Sequence, residues 1–321
     1  MYTSYIYYGN SVNDNLLINI ERDVVDKEIV VKTIAKSSTE PSRILICQNI
    51  CHLPVGGLFF QNADWAFSSQ FDNVHDLVGG TETDVSENIE LYDPKTDRWQ
   101  YAPEIIISRK GVVLAILKDR LMFAVGGYDK DNVEYLGTIA MLDISSESPC
   151  WKPMVDMIVK RDYPVVGVIN DYLYAVGGCD QSSQCLDTVE CYHPSLDKWK
   201  PVAKMSVCRS GFGVAVLHGV LYAVGGHDRF NHLSSVVAYR PSTGVWTSIT
   251  DMHLPRKNAG VVTLDGLLYV VGGYKDSSIL CSTECYNTQT NSWTIVTASM
   301  NDERIQAGVV AINRPRYFTT C

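Results

Sequence analysis

Several stretches of this 321-residue chain carry side chains able to do chemistry. In "GGHDRFNHL", the adjacent Gly225 and Gly226 could let backbone amides approach a phosphate, while His227, Asp228 and His232 offer donors for a metal ion. Cys185 with Cys191, and Cys281 with Cys285, look like thiol pairs. Arg109, Arg161, Arg209, Arg256 and Arg304 each precede an apolar run, and a guanidinium meets a carboxylate or phosphate with two parallel N–H groups. A cofactor loop or catalytic centre occurs once in a chain; a residue that serves the architecture recurs. The distinction therefore turns on periodicity, which comes before any motif.

The glycine pair recurs. Gly79-Gly80, Gly126-Gly127, Gly177-Gly178, Gly225-Gly226 and Gly272-Gly273 end apolar runs such as "LMFAVGG" and "LYAVGG", at steps of 47, 51, 48 and 47 residues. Tyr92, Tyr192, Tyr239 and Tyr286 follow, each seven residues ahead of Trp99, Trp199, Trp246 and Trp293; the second module has "AMLDIS" in place of the tyrosine segment and supplies Trp151. About ten residues later comes one of the five arginines, leading into a glycine-bearing run such as "SRKGVVLAIL" or "CRSGFGVAVL". Each period holds four short apolar runs separated by turn formers, which is the grammar of an all-β unit. Runs that are apolar throughout predict strands covered on both faces. The glycines then end a strand where φ turns positive or backbones crowd, and Tyr and Trp fill the space between units.

Glycine pair, Tyr, Trp and then Arg at fixed spacing resembles the Kelch repeat. The stretch "LDTVECYHPSLDKWKPVAKMSVCRSGFGVAVLHGVLYAVGGHD" is similar to the propellers of BTB-Kelch proteins. The resemblance implies an all-β Kelch propeller, expected over 74–321 and closed by the C-terminal strand near "QAGVVAIN", which would pair with the unit ending at Gly79 and leave no open sheet edge. Residues 1–73 form a divergent segment that reads as strands but lacks the Tyr-to-Trp spacing; Trp65 precedes Gly79 by 14 residues, whereas the other periodic tryptophans precede the next pair by 26 or 27. Six blades with a degenerate N-terminal one are expected; five blades with an appendage is the alternative.

In register, His227 aligns with Tyr128, Cys179 and Tyr274, so a metal site is not expected, and Cys191 and Cys285 take a slot filled elsewhere by Leu91 and Ala238, where a free thiol acts as a small hydrophobe. No catalytic set and no cofactor is assigned; the ligand pattern of copper-oxidase Kelch propellers is not found on these repeats. A ring would gather the five arginines around one mouth of the channel, a basic crown suited to an acidic or phosphorylated protein segment, unless they pair with loop carboxylates instead. Tyr128, His227, Arg229, Phe230 and Tyr274 stand on loops expected to open on the same face, and aromatic and Arg side chains held on a rigid scaffold suit an interface.

A net charge of -9 argues against nucleic acid as a partner, and the absence of a signal-like start or of any apolar run near ~18 residues argues against secretion or membrane insertion. Ten cysteines without a secretory signal are expected to remain reduced, in a cytoplasmic protein. The resemblance implies a non-enzymatic interaction module: the substrate-recognition part of an adaptor for a cullin-based ubiquitin ligase or, alternatively, an actin-binding, cytoskeleton-associated scaffold; a propeller enzyme is the weaker reading. A cullin link would need BTB and BACK domains, longer than the first 70 residues, so a fragment, a shortened relative and a scaffold all stay open.

Overall fold

In a computed structural model of the chain, residues 112–301 are described except 119, 130, 131, 133 and 147, together with 103, 303–305 and seven further strands. The described elements are strands and turns, without a helix. Four antiparallel sheets of four strands follow one another. The first contains Val113–Leu117, Leu121–Val125, Ile139–Asp143 and Trp151–Met154; the second Val165–Ile169, Tyr172–Val176, Val189–His193 and Lys198–Val202. The third contains Gly213–Leu217, Val220–Val224, Val236–Arg240 and Val245–Ser248; the fourth Gly260–Leu264, Leu267–Val271, Thr283–Asn287 and Ser292–Ile295. Every sheet is a meander in chain order.

Burial grades across each sheet, and the strands that are apolar throughout are the covered ones. First and second strands are buried nearly throughout, whereas most fourth-strand residues are exposed or half-exposed. First strands of successive sheets lie against one another, from Val113–Leu117 through Gly260–Leu264 to Gly308–Ile312, which makes them the inner edge of the stack. Between the sheets lie apolar layers: Phe123 and Val125 meet Leu173 and Tyr192, Val176 and Tyr174 meet Leu221 and Tyr239, and Val224 and Tyr222 meet Leu268 and Tyr286. Sheets cover each other's faces, so strands need not alternate polar and apolar residues.

Tyrosine and tryptophan form one device per sheet. Strand pairing sets Tyr92 opposite Trp99, Tyr192 opposite Trp199, Tyr239 opposite Trp246 and Tyr286 opposite Trp293. In the last three pairs the ring centroids are 5.1 Å apart. Each indole N–H then donates backwards to the end of the preceding sheet: Trp199 to Val155 O (3.1 Å), Trp246 to Ala203 O (2.8 Å) and Trp293 to Thr250 O (2.8 Å). Trp151 in the irregular module does the same, to Pro103 O at 2.9 Å. The absent tyrosine of that module therefore does not cost it the link to its neighbour.

The expected closure is corrected in one respect. Gly308–Ile312 pairs with Arg43–Cys47, Gly308 opposite Cys47, rather than with the strand Asp76–Val78 ahead of Gly79. An apolar run of the N-terminal segment thus takes the second-strand place beside the C-terminal strand. Asp76–Val78, Glu90–Asp93 and Arg98–Tyr101 form a three-stranded sheet, and Ser4–Gly9 pairs with Asn15–Ile20.

Candidate interaction face

A meander places the turns after second strands and the loops before first strands at the same end of every sheet. Both candidate groups, arginines and post-glycine loops, therefore belong to one face. Their burial separates them.

The arginines are not a solvent-facing crown. Arg161, Arg209, Arg256 and Arg304 are exposed by 0%, 1%, 1% and 3%; Arg109 lies outside the described residues, as do Gly79 and Gly80. Arg209 Nη1 donates to Gly225 O (2.8 Å) and Ser235 O (2.9 Å), and its Nη2 to Ser235 Oγ (2.8 Å). Arg256 repeats the pattern on Gly272 O (2.7 Å) and Ser282 O (2.9 Å), and Arg161 on Gly177 O (2.9 Å) and Thr188 O (2.9 Å). Meanwhile the carbonyls of Arg209, Arg256 and Arg304 accept from Gly178 N, Gly226 N and Gly273 N of the sheet before. Each arginine of the first two ties its predecessor through its backbone to its own sheet through its guanidinium. A buried charge must be hydrogen-bonded, and the orphan carbonyls left where strands end supply the acceptors. For Arg161, Arg209 and Arg256 the expected contact with a partner therefore gives way to a structural role.

The glycine pairs answer to the same crowding. Gly225 has φ of 65°, and a Cβ there would stand 2.5 Å from Arg256 O; Gly226, at φ 88°, would place one 2.7 Å from Ser210 O. Gly225 makes room for the carbonyl of the next arginine, and Gly226 for Ser210 and Phe212, which lead into the first strand of its own sheet.

Beyond the glycines the chain forms short ribbons: Tyr128–Asp129 pairs with Glu134–Tyr135, Cys179 bridges Cys185, His227 bridges His232, and Tyr274–Lys275 pairs with Ser278–Ile279. An aspartate two places after the glycines caps three of them. Asp129 accepts from Asn132 N (3.1 Å), Asp180 from Ser182 N (2.8 Å) and Asp228 from Asn231 N (2.8 Å) and Phe230 N (3.1 Å). The hydrogen bond from Asn231 is the main reason the Asp228 carboxyl lies below the ordinary carboxylate range. Neighbouring ribbons are joined: Arg229 Nη1 donates to Gln184 Oε1 (3.0 Å), and His232 Nδ1 accepts from Asp276 N (3.0 Å). Burial pulls His227 below the usual imidazole range.

Phe230 stands out of this braced rim. It is 87% exposed, at the tip of the loop that Asp228 caps and Arg229 ties down. Tyr163, beside Arg161, is also exposed, whereas Tyr128 rests against Tyr135 and Tyr274 against the edge of His232. Of the loop residues singled out in the sequence, Phe230 and Arg229 are thus presented outward, and Tyr128, His227 and Tyr274 are half-buried.

Two periodic features were missed in the sequence. Met157, Met205, Met252 and Met300, each four residues before an arginine, are buried, the Met252 methyl lying 3.2 Å from where a Cβ on Gly225 would be. Glu190 and Glu284, one place after the third strand begins, are buried against Arg161 and Arg256 at 2.8 and 3.0 Å. "MIVKR", "MSVCR" and "MHLPR" carried the first signal; "VEC" and "TEC" carried the second, broken by "VVA" between them.

Comparison with known proteins agrees with this geometry. Kelch-like protein 36 of Bos taurus is 27% identical over 151 residues, 46% of this chain and 24% of that protein. Kelch-like ECH-associated protein 1B of Danio rerio is 35% identical over 101 residues, 32% of this chain and 17% of that protein. The chain thus spans a quarter or less of the length of these relatives. Among solved structures, that of YjhT superposes with a TM-score of 0.55 at 16% identity, covering 63% of this chain and 69% of that one, a likeness of fold alone. Residues 255–300 match the Kelch motif, and residues 69–257, more than half of the chain, match the KLHDC2/KLHL20/DRC7 Kelch-repeats domain: the chain belongs to the Kelch-repeat family.

Proposed function

We propose that this chain is a non-enzymatic protein-interaction module that holds a segment of another protein on the rim formed by its post-glycine ribbons. The observation that carries the reading is Phe230: a large apolar side chain held almost wholly in solvent on a loop fixed by Asp228 and Arg229. An aromatic raised on a rigid support loses little freedom on binding and buries much area, which is how interface anchors work. Similarity to Kelch-like proteins supports the finer reading, a substrate receptor for a cullin-based ubiquitin ligase in the cytoplasm, its BTB and BACK parts lying on a longer polypeptide. The arginines no longer argue for an acidic or phosphorylated partner, because they face inward.

Affinity capture with mass spectrometry, using the chain and its Phe230→Asp variant, tests the module. A partner captured by the first and lost with the second, at unchanged circular dichroism, supports it; equal capture rejects it. Under the ligase reading, depleting the chain from cells lengthens the half-life of that partner and lowers its ubiquitin conjugates. Co-sedimentation with filamentous actin, without any change in ubiquitin conjugates, would assign the chain to the scaffold class instead.

A further inference from the structure

The third sheet departs from its neighbours at one charged position. Glu190 in the second sheet and Glu284 in the fourth are matched by Val237 in the third. The two glutamates sit on one kind of platform. Glu190 accepts from Ile158 N (2.7 Å), Val159 N (3.1 Å) and Arg161 Nη2 (2.8 Å). Glu284 accepts from His253 N (2.8 Å), Leu254 N (3.2 Å), Arg256 Nη2 (3.0 Å) and Arg256 Nε (3.1 Å). Two consecutive amides, three and two residues ahead of the arginine, and the outer edge of the guanidinium thus converge on one carboxylate.

Every part of that platform except the carboxylate is retained in the third sheet. Met205 is buried like Met157 and Met252, and Arg209 makes the same Nη1 bonds to Gly225 O and Ser235 O as Arg256 makes to Gly272 O and Ser282 O. The guanidinium is therefore held in the same attitude. Its Nε is buried with no acceptor among the described residues, as is that of Arg161 beside Glu190; what sets the third module apart is that neither Ser206 N nor Val207 N donates to a protein atom among those residues. Val237 is buried in the apolar layer with Val214 and Leu221, and its side chain ends before the position of a glutamate's three-atom head. Burial pulls the Arg209 guanidinium down to about 10, the charges of Asp251 and Asp228 opposing it only from a distance. A buried cation without a bonded counter-charge is costly, so an anion of the right shape gains both a charge partner and three donors. Ser206 is exposed and Val207 half-buried, the same exposures that Ile158 and Val159 have beside Glu190; Cys208 is half-buried, its Sγ 3.8 Å from Asp228 O.

We propose that the third module binds an external carboxylate group between Arg209 and the amides of Ser206 and Val207, where the second and fourth modules supply their own glutamate. The ligand chemistry is a single planar carboxylate, from a small free acid or from the C-terminus of a docked polypeptide. Formate has the size and charge of the missing head. The inference holds whether or not Phe230 anchors a partner.

The test is formate titration of the 15N-labelled full chain against sodium chloride at equal ionic strength, following Ser206 and Val207 amides and the Arg209 Nε–H. Saturable shifts with formate and not chloride are expected, with apparent affinity weakened about tenfold or more in Val237→Glu, whose own carboxylate competes. Adding Gly-Gly-Gly and its C-terminal amide in parallel separates the sources. Tighter saturation by the acid than by formate assigns the site to a terminal carboxylate, and the reverse assigns it to a small free acid. Shifts that are absent, or equal for chloride and formate, overturn the proposal. Equal formate response in Val237→Glu overturns it too; should that variant not fold, the wild-type comparison with chloride decides.

Discussion

The loops before the first strands and the ribbons after the glycine pairs lie at one end of the same sheets, yet they follow opposite rules. The first set repeats its arginine in register and, among the described residues, buries it to within 3% of full enclosure; the second varies from Tyr128 to Cys179 to His227 and exposes Phe230. A residue demanded by contact with the next copy must recur with that copy, since each sheet presents the same strand-end carbonyls. A residue that touches only solvent or a partner has no such constraint. Periodicity therefore marks the scaffold, and its breakdown on a braced loop marks the working surface.

The sharpest way to break that comparison is to remove an arginine. Arg256→Ala is expected to destabilise the chain by about 3–5 kcal/mol, because the buried Glu284 would lose its guanidinium partner, keeping only His253 and two backbone amides, and two strand-end carbonyls would be unpaired. Arg209→Ala should cost less, since no glutamate is stranded by it. Urea unfolding midpoints of the two variants measure the difference. A loss at Arg256 no larger than that of a surface substitution would mean that the arginine layer does not hold the sheets together.

How much of this was legible beforehand follows from the same logic. Strand content, the inter-sheet tyrosines and tryptophans and the purpose of the glycine pairs recur in the chain and could be read from it. The direction of the arginines could not. A guanidinium before an apolar strand reads equally well as reaching out to a carboxylate or inward to carbonyls, and only the position of Gly225 O and Ser235 O relative to Arg209 decides. The partner of the C-terminal strand was misplaced for a related reason. Arg43–Cys47 and Asp76–Val78 are both short apolar runs, and pairing across some 230 or more residues leaves no local signature.

Asp162 sits at the boundary between the two regions, next to Arg161, its backbone paired with Cys179 at the root of a ribbon. Burial raises its carboxyl to about 6, and its Oδ1 has no hydrogen-bond partner among the described residues. A carboxyl whose folded value lies above its unfolded one favours the native state while protonated. Its contribution is complete below about pH 4 and is lost as pH rises through about 6. Asp162→Asn should therefore gain on the wild type by on the order of 1 kcal/mol between pH 5 and 7.5, after allowing for solvent screening. Parallel urea titrations at both values check it. Identical pH dependence in the two proteins would show that Asp162 behaves as a solvated rim residue and that the buried layer stops at the arginine.

The smallest effect is expected where the functional consequence is greatest. Phe230 packs against nothing that its removal would leave hollow, and the turn it tops is fixed by the Asp228 carboxylate and the backbone bond from Asp228 N to Asn231 O. Phe230→Ser should therefore move the unfolding midpoint by no more than about 0.5 kcal/mol in free energy, in either direction. Asp228→Ala, which leaves the Phe230 and Asn231 amides without their acceptor, should cost about 1 kcal/mol. If both variants lose the captured partner, the aromatic and its support act as one binding element. If Phe230→Ser proves as destabilising as Asp228→Ala, the side chain is part of the scaffold after all, and the division between recurring and free positions fails at the residue where it matters most.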